Sequence, residues 1–249
     1  MILGILGVGH LAKVIISGLI GSGFKAEDIL VSPRGKAQEV YSLYGISIAA
    51  DNRDLVDRSD VILVSVRPSD AINSVEGLPW RESHVIINVC AGVPIDALPV
   101  NPARLVRAMP LTASEINASP TVCFPDLPEA TAILRHLGPV IPLGCEADFE
   151  IATVNAAVYG WVQDLIGQTT DWCSEKGLNQ AIARRLVANT FVAAGRLIAE
   201  KPEPIEQLLS ELATPGGITE LGLKVLSEKG HPIIWRDASE AVLTKLLQG

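Results

Sequence analysis

Apolar positions along the first 145 residues concentrate in short, near-continuous runs: Ile2–Leu6, Ile29–Val31, Asp60–Val66, Val85–Val89, Arg104–Ala108, Thr121–Phe124 and Val140–Pro142. Near-continuous rather than alternating runs predict strands buried on both faces, as in a parallel sheet covered by helices. Between them lie helical stretches at Leu11–Ile20, Ala37–Tyr44, Arg53–Arg58 and Glu129–Leu137, with a short strand at Ile46–Ile48. After Gly144 the strand pattern stops. Five helical stretches follow, at 149–173, 179–198, 205–212, 218–227 and 233–247, with Pro or Gly ahead of the last three. The pattern predicts a doubly wound α/β domain over residues 1–145 and an all-α domain over 146–249.

The first run leads directly into Gly7-Val8-Gly9-His10-Leu11-Ala12. This G-x-G-x-x-A between strand and helix is the Rossmann-like dinucleotide turn. Gly7 permits the turn, Gly9 lets backbone approach the pyrophosphate, and Ala12 lets helix pack on strand. The N–H groups around His10 and Leu11 face the anion. The second run ends in Ser32, with Arg34 and Lys36 just beyond, where an acidic residue would select NAD. A hydroxyl and two cations suit a 2′-phosphate, so NADP(H) is expected over NAD(H). Two further strand ends, Val66-Arg67-Pro68 and Cys90-Ala91-Gly92, are expected to wall the nicotinamide.

Composition narrows the class. The chain is 48% hydrophobic and 19% charged, which marks a globular protein with a filled interior. A formal net charge of -8 argues against nucleic acid and against an anionic membrane surface. Cys90, Cys123, Cys145 and Cys173 form no C-x-x-C pair, so reduced, buried thiols are expected. The apolar N-terminus lacks a basic leader and is interrupted by Lys13, which favours a first strand and helix over a secretory signal and predicts a cytoplasmic protein.

The helical half has little polar surface in its first two helices, which carry Ala181, Ala183, Ala188, Ala193, Ala194 and Gly195. Such surface calls for cover. A homodimer through helices 149–198, or a larger assembly built from it, is expected. Further on, Thr214-Pro215-Gly216-Gly217-Ile218-Thr219 opens a helix. Its free backbone N–H groups and hydroxyls suit a substrate carboxylate, although a turn with Thr caps would look the same.

The usual proton donors of dehydrogenases are missing. No Tyr has Lys four residues on, and the long helix has no Lys before Lys176. His10, His84, His136 (on the helix 129–137) and His231 have no carboxylate partner at a strand end and read as structural or surface residues. Ketone reduction calls for a general acid, whereas an imine can arrive protonated and needs only a hydroxyl on its nitrogen. The chain therefore favours C=N over C=O reduction and a small-molecule imine as its partner.

Taken together, these residues resemble the pyrroline-5-carboxylate reductase family. The likeness covers the opening glycine turn, Asn52, Val66-Arg67-Pro68 for V-K-P, Ala91-Gly92 for A-A-G, Arg107-Ala108-Met109-Pro110 for R-x-M-P, and Thr214–Thr219 for S-P-G-G-T/A-T. The resemblance implies NAD(P)H reduction of a cyclic imine to proline. Thr219 would be the catalytic hydroxyl on the imine nitrogen, with Thr214, Gly216 and Gly217 on the carboxylate. Asn52 would join Ser32, Arg34 and Lys36 at the adenosine end. The family's S-G-S-G-P-A-Y aligns with Asn155–Trp161, which implies substrate contact at Asn155 but departs in losing the Gly and Pro; Leu111 and Ala113 also depart. A related imino acid as substrate, or a catalytically silent NADP-binding paralogue, is the alternative.

Overall fold

The computed structural model describes residues 1–248. Its contacts divide the chain into two compact units, one of Met1–Ala156 with the residues from Leu243 onward, the other of Ala157–Val242.

The first unit is built on one eight-stranded sheet. Its strands are β1 (Leu3–Leu6), β2 (Ile29–Val31), β3 (Ser47–Ile48), β4 (Val61–Val64), β5 (Val85–Asn88), β6 (Arg104–Met109), β7 (Thr121–Phe124) and β8 (Val140–Pro142). They lie in the order β3-β2-β1-β4-β5-β6-β7-β8. The first six pair in parallel; β7 runs antiparallel to β6, and β8 parallel to β7. This is the doubly wound order, with its reversal between β1 and β4, where such sheets bind ligands.

Alternation along each strand feeds two cores. Leu3, Ile5, Val61, Leu63, Val85 and Ile87 enter one, with Ile15, Ile16 and Leu19 from α1 (His10–Gly21) and Val40 from α2 (Ala37–Tyr44). Leu6, Ile62, Val64 and Ile86 enter the other, with Leu55 and Val56 from α3 (Asn52–Arg58) and Ala71 and Val75 from α4 (Ala71–Val75). Both faces being buried explains the near-continuous apolar runs. Each fully buried Leu or Ile contributes roughly 1.5–3 kcal/mol. Asp51 caps α3, accepting from the Asp54 N–H at 2.8 Å.

The largest departure from the expected boundaries is at one helix end. Helix α5 (Pro128–Leu134) stops before His136, because the His136 and Leu137 N–H groups bond back only three residues, to Ile133 and Leu134. His136 therefore sits in the closing turn, with Nδ1 2.8 Å from Ser22 Oγ. Cys145 is exposed rather than buried, just past the last strand, and Cys173 is half-buried.

The helices after the sheet are α6 (Phe149–Glu175), α7 (Gln180–Glu200), α8 (Ile205–Leu212), α9 (Ile218–Glu228) and α10 (His231–Gln248). Asn179 caps α7, accepting from Ala181 and Ile182 at 3.0 and 3.2 Å. Helix α10 begins at His231, two residues earlier than the pattern indicated; Pro232 needs no N–H partner in a first turn. Trp161 meets Trp235 edge to face at 5.4 Å, so one of the bulky residues in the departing 155–161 stretch packs within its own unit. No helix among the described residues is long and apolar enough to cross a membrane.

Candidate functional site

The glycine turn after β1 is sterically committed. Gly7 has φ +94, and a Cβ there would fall 2.6 Å from Val66 Cγ1 and 2.8 Å from the Ser65 carbonyl oxygen. Its N–H donates to the buried Ser32 hydroxyl at 2.9 Å. Ser32 thus holds the turn through a lone pair and keeps its own proton to donate. Gly9 is the extended N-cap of α1, no side chain caps that end, and no acid lies in the first turn. A Cβ at Gly9 would meet nothing within 4 Å. The helix N-terminus, including the N–H groups of His10 and Leu11, is open to an anion.

The basic loop is folded back onto this turn. Gly35 has φ +72, and a Cβ there would lie 2.4 Å from the Val8 carbonyl oxygen. The Lys36 N–H donates to that same oxygen at 2.8 Å. Arg34 and Lys36 are exposed beside the uncapped helix. One cavity of about 890 Å³ gathers Gly7, Ser32, Arg34, Asn52 and Val66. The same cavity is lined by Arg53, Asn73 and Ser74, which sequence reasoning missed because nothing in their spacing marks them. Asn52 reaches across to the Ser74 carbonyl at 3.5 Å.

Arg67 and Pro68 are exposed past β4 and open a short 3-10 turn, Pro68–Asp70. Beyond β5, the Cys90 N–H donates to Asn88 Oδ1 at 2.9 Å, and Asn88 Nδ2 donates to the Val93 carbonyl at 3.1 Å. The Cys90 thiol points at the Val66 carbonyl, 3.4 Å away. Burial pushes its pKa up to about 11, so it stays a neutral thiol at physiological pH. Ala91 and Gly92 are half-buried at this strand end.

A buried ion cluster adjoins it. Arg107, on β6 opposite Asn88, is 2% exposed. Its guanidinium pairs with Glu146 at 3.1 Å and with Glu150, and stacks on the Phe149 ring at 4.1 Å. The Ile95 N–H donates to the same Glu146 oxygen at 2.8 Å. The R-x-M-P likeness drew attention to Arg107, but its acidic partners lie far along the chain and leave no local signal.

In the second unit, the turn before α9 gathers Thr214, Gly216 and Gly217. The Gly217 N–H donates to the Thr214 carbonyl at 2.9 Å, and Gly216 has φ +75. Thr219 is half-buried in the first turn of α9, and among the described residues its hydroxyl has no partner. The Gly216 N–H is occupied: it donates to the Glu220 carboxylate at 2.7 Å. Glu220 stands three residues past the N-cap Gly217, the capping-box position, which is the signal that could have found it. Gly216, Gly217, Glu220, Leu221 and Lys224 line a cavity of about 790 Å³. Asn155 belongs to the first unit, where its amide donates to the Ala152 carbonyl of its own helix at 3.1 Å. Among the described residues no group of His, Cys, Asp and Glu could hold a metal ion.

Two family models match the chain. Residues 146–248 match pyrroline-5-carboxylate reductase dimerisation, and residues 2–92 match NADP oxidoreductase coenzyme F420-dependent. Pyrroline-5-carboxylate reductase 1 of Bacillus subtilis is 29% identical over 90% of this chain and 81% of its own length. The pyrroline-5-carboxylate reductase of Escherichia coli is 25% identical over 99% and 96%. Among solved structures, Plasmodium falciparum pyrroline carboxylate reductase with NADP bound superposes with a TM-score of 0.88 at 21% identity, covering 100% of this chain and 97% of that one.

Proposed function

The chain belongs to the pyrroline-5-carboxylate reductase family, and on that premise we propose that it reduces 1-pyrroline-5-carboxylate to proline with NADPH. One observation carries the proposal. The Thr214–Thr219 turn stands at a helix N-terminus and carries a Thr219 hydroxyl that nothing among the described residues occupies.

The residues of the first unit fit a dinucleotide. Gly7, Gly9, His10 and Leu11 would hold the pyrophosphate at the open end of α1. Ser32, Arg34 and Lys36 would take the 2′-phosphate, which is the reason for NADPH over NADH. Asn52 would line the adenosine end, and Val66, Arg67, Pro68, Cys90, Ala91 and Gly92 would flank the nicotinamide. The neutral Cys90 thiol places no charge beside that ring.

When bound, NADPH supplies a hydride to the imine carbon. Thr219 would accept a hydrogen bond from the protonated imine nitrogen and orient it, so no general acid is needed. Thr214 with the Gly216 and Gly217 N–H groups would hold the carboxylate, and Asn155 would contact the substrate. Glu220 must release the Gly216 N–H, and the Thr214 carbonyl the Gly217 N–H, when a carboxylate binds. That requirement favours a second reading, a related imine without an anionic substituent. We assign the cofactor to residues 1–145 and the imine and dimer contacts to 146–249. A homodimer through helices 149–198 would cover Ile182, Leu186 and Leu197, all exposed in the single chain. The free thiols and the need for NADPH suit the cytoplasm.

The test is NADPH consumption with a panel of cyclic imines, with and without a carboxylate, and with the product identified. Turnover of pyrroline-5-carboxylate to proline supports the proposal. Turnover of only uncharged imines selects the second reading, and NADPH binding without any turnover rejects both.

A further inference from the structure

Between Cys90 and Ile95 the chain leaves the sheet, crosses the small Ala91-Gly92 pair and turns into the next segment. Three side chains grip this loop from both ends. Asn88, 1% exposed, accepts from Cys90 N–H and donates to the Val93 carbonyl. Glu146 accepts from Ile95 N–H at 2.8 Å. Arg107 stands behind both: it faces Asn88 in the sheet register and pairs with Glu146 through the same carboxylate oxygen.

The cluster is a poor device for stability alone. Among the described residues Arg107 Nε and Glu150 Oε2 are buried with no partner, and apolar side chains in their place would serve the core as well. What charge gives here is direction, since a fixed guanidinium sets where the Glu146 oxygen points and so where Ile95 is held. We propose that Asn88, Glu146 and Arg107 are positioning residues that hold the 90–95 loop ready for the nicotinamide half of the cofactor. The proposal rests on the cofactor assignment above. None of the three needs to touch the ring; they act through the backbone at Cys90, Val93 and Ile95.

The test separates the two halves of the dinucleotide. Affinity is measured for NADPH and for 2′,5′-ADP, which carries only the adenosine end. Loss of one loop hydrogen bond in Glu146→Ala is expected to weaken NADPH about five- to tenfold while 2′,5′-ADP stays within about twofold. Glu146→Gln, which keeps an acceptor oxygen for Ile95 N–H, is expected to recover most of the loss. Should Glu146→Ala lose 2′,5′-ADP as well, Asn88→Ser carries the test with the same expected split. An unchanged NADPH affinity in both variants, or equal losses of the two ligands in both, overturns the proposal. Wild type that gains nothing from the nicotinamide half overturns the cofactor assignment itself, and the proposal with it.

Discussion

The two units treat their apolar side chains in opposite ways. In the first, Leu3, Ile5, Val31, Ile62 and Ile86 are at most 2% exposed, and two cores fill both sides of the sheet. In the second, Ala183 and Val187 are the buried apolar residues, while Leu186 is 57% exposed, Leu221 65% and Ile218 92%. At roughly 1.5–3 kcal/mol for each large side chain buried, the first unit satisfies itself and the second does not. The difference teaches where each kind of chemistry is built. A cofactor site needs a rigid strand-to-helix turn, which one chain completes. The helical unit keeps a large apolar surface in reserve for association, in keeping with the dimerisation model that matches it.

The strongest way to break this division of labour is Thr219→Ala. It is expected to lower kcat/KM about 10²-fold, the usual effect of losing the group that orients the reacting atoms, with NADPH affinity unchanged by fluorescence titration. Leu186→Glu comes next. A charge on that exposed face is expected to convert the dimer to monomer in sedimentation and to lower Tm by several degrees, about 2–4 °C per kcal/mol lost in a chain of this size. The first unit should keep its cofactor affinity in that variant.

Arg34→Ala sharpens the cofactor side: KM for NADPH is expected to rise about tenfold and that for NADH to stay the same. On the substrate side, Glu220→Ala frees the Gly216 N–H. KM for an imine carrying a carboxylate is expected to fall about threefold, with no change for one lacking it. The smallest effect concerns pH. His84 is buried, and burial followed by the nearby Arg81 charge lowers its pKa below the unfolded value near 6.5. Its contribution to stability is full above that value and is lost as pH falls below it. Thermal unfolding between pH 7.5 and 5 should therefore decline less steeply in His84→Gln.

Most of the sheet was legible because its signals are local. Apolar runs such as Val61–Val64 and Val85–Ile87 need burial on both faces, and the Gly7-to-Ala12 spacing belongs to one turn. The Thr214–Thr219 turn was legible for the same reason. The clamp on the 90–95 loop was not, since Arg107 and Glu146 stand 39 residues apart and meet only through the sheet. The cavity residues Asn73 and Ser74 were missed likewise, being brought to Asn52 by folding alone. Glu220 was readable as a capping-box acid, but its bond to Gly216 rather than Gly217 is a detail of backbone geometry.

The central claim, hydride transfer from NADPH to an imine carbon, is tested most directly with NADPH deuterated at the transferring position of its nicotinamide. Mass spectrometry of the product of 1-pyrroline-5-carboxylate should show proline with one deuterium on the former imine carbon. Deuterated NADPH that binds but passes no label to any imine would contradict the account.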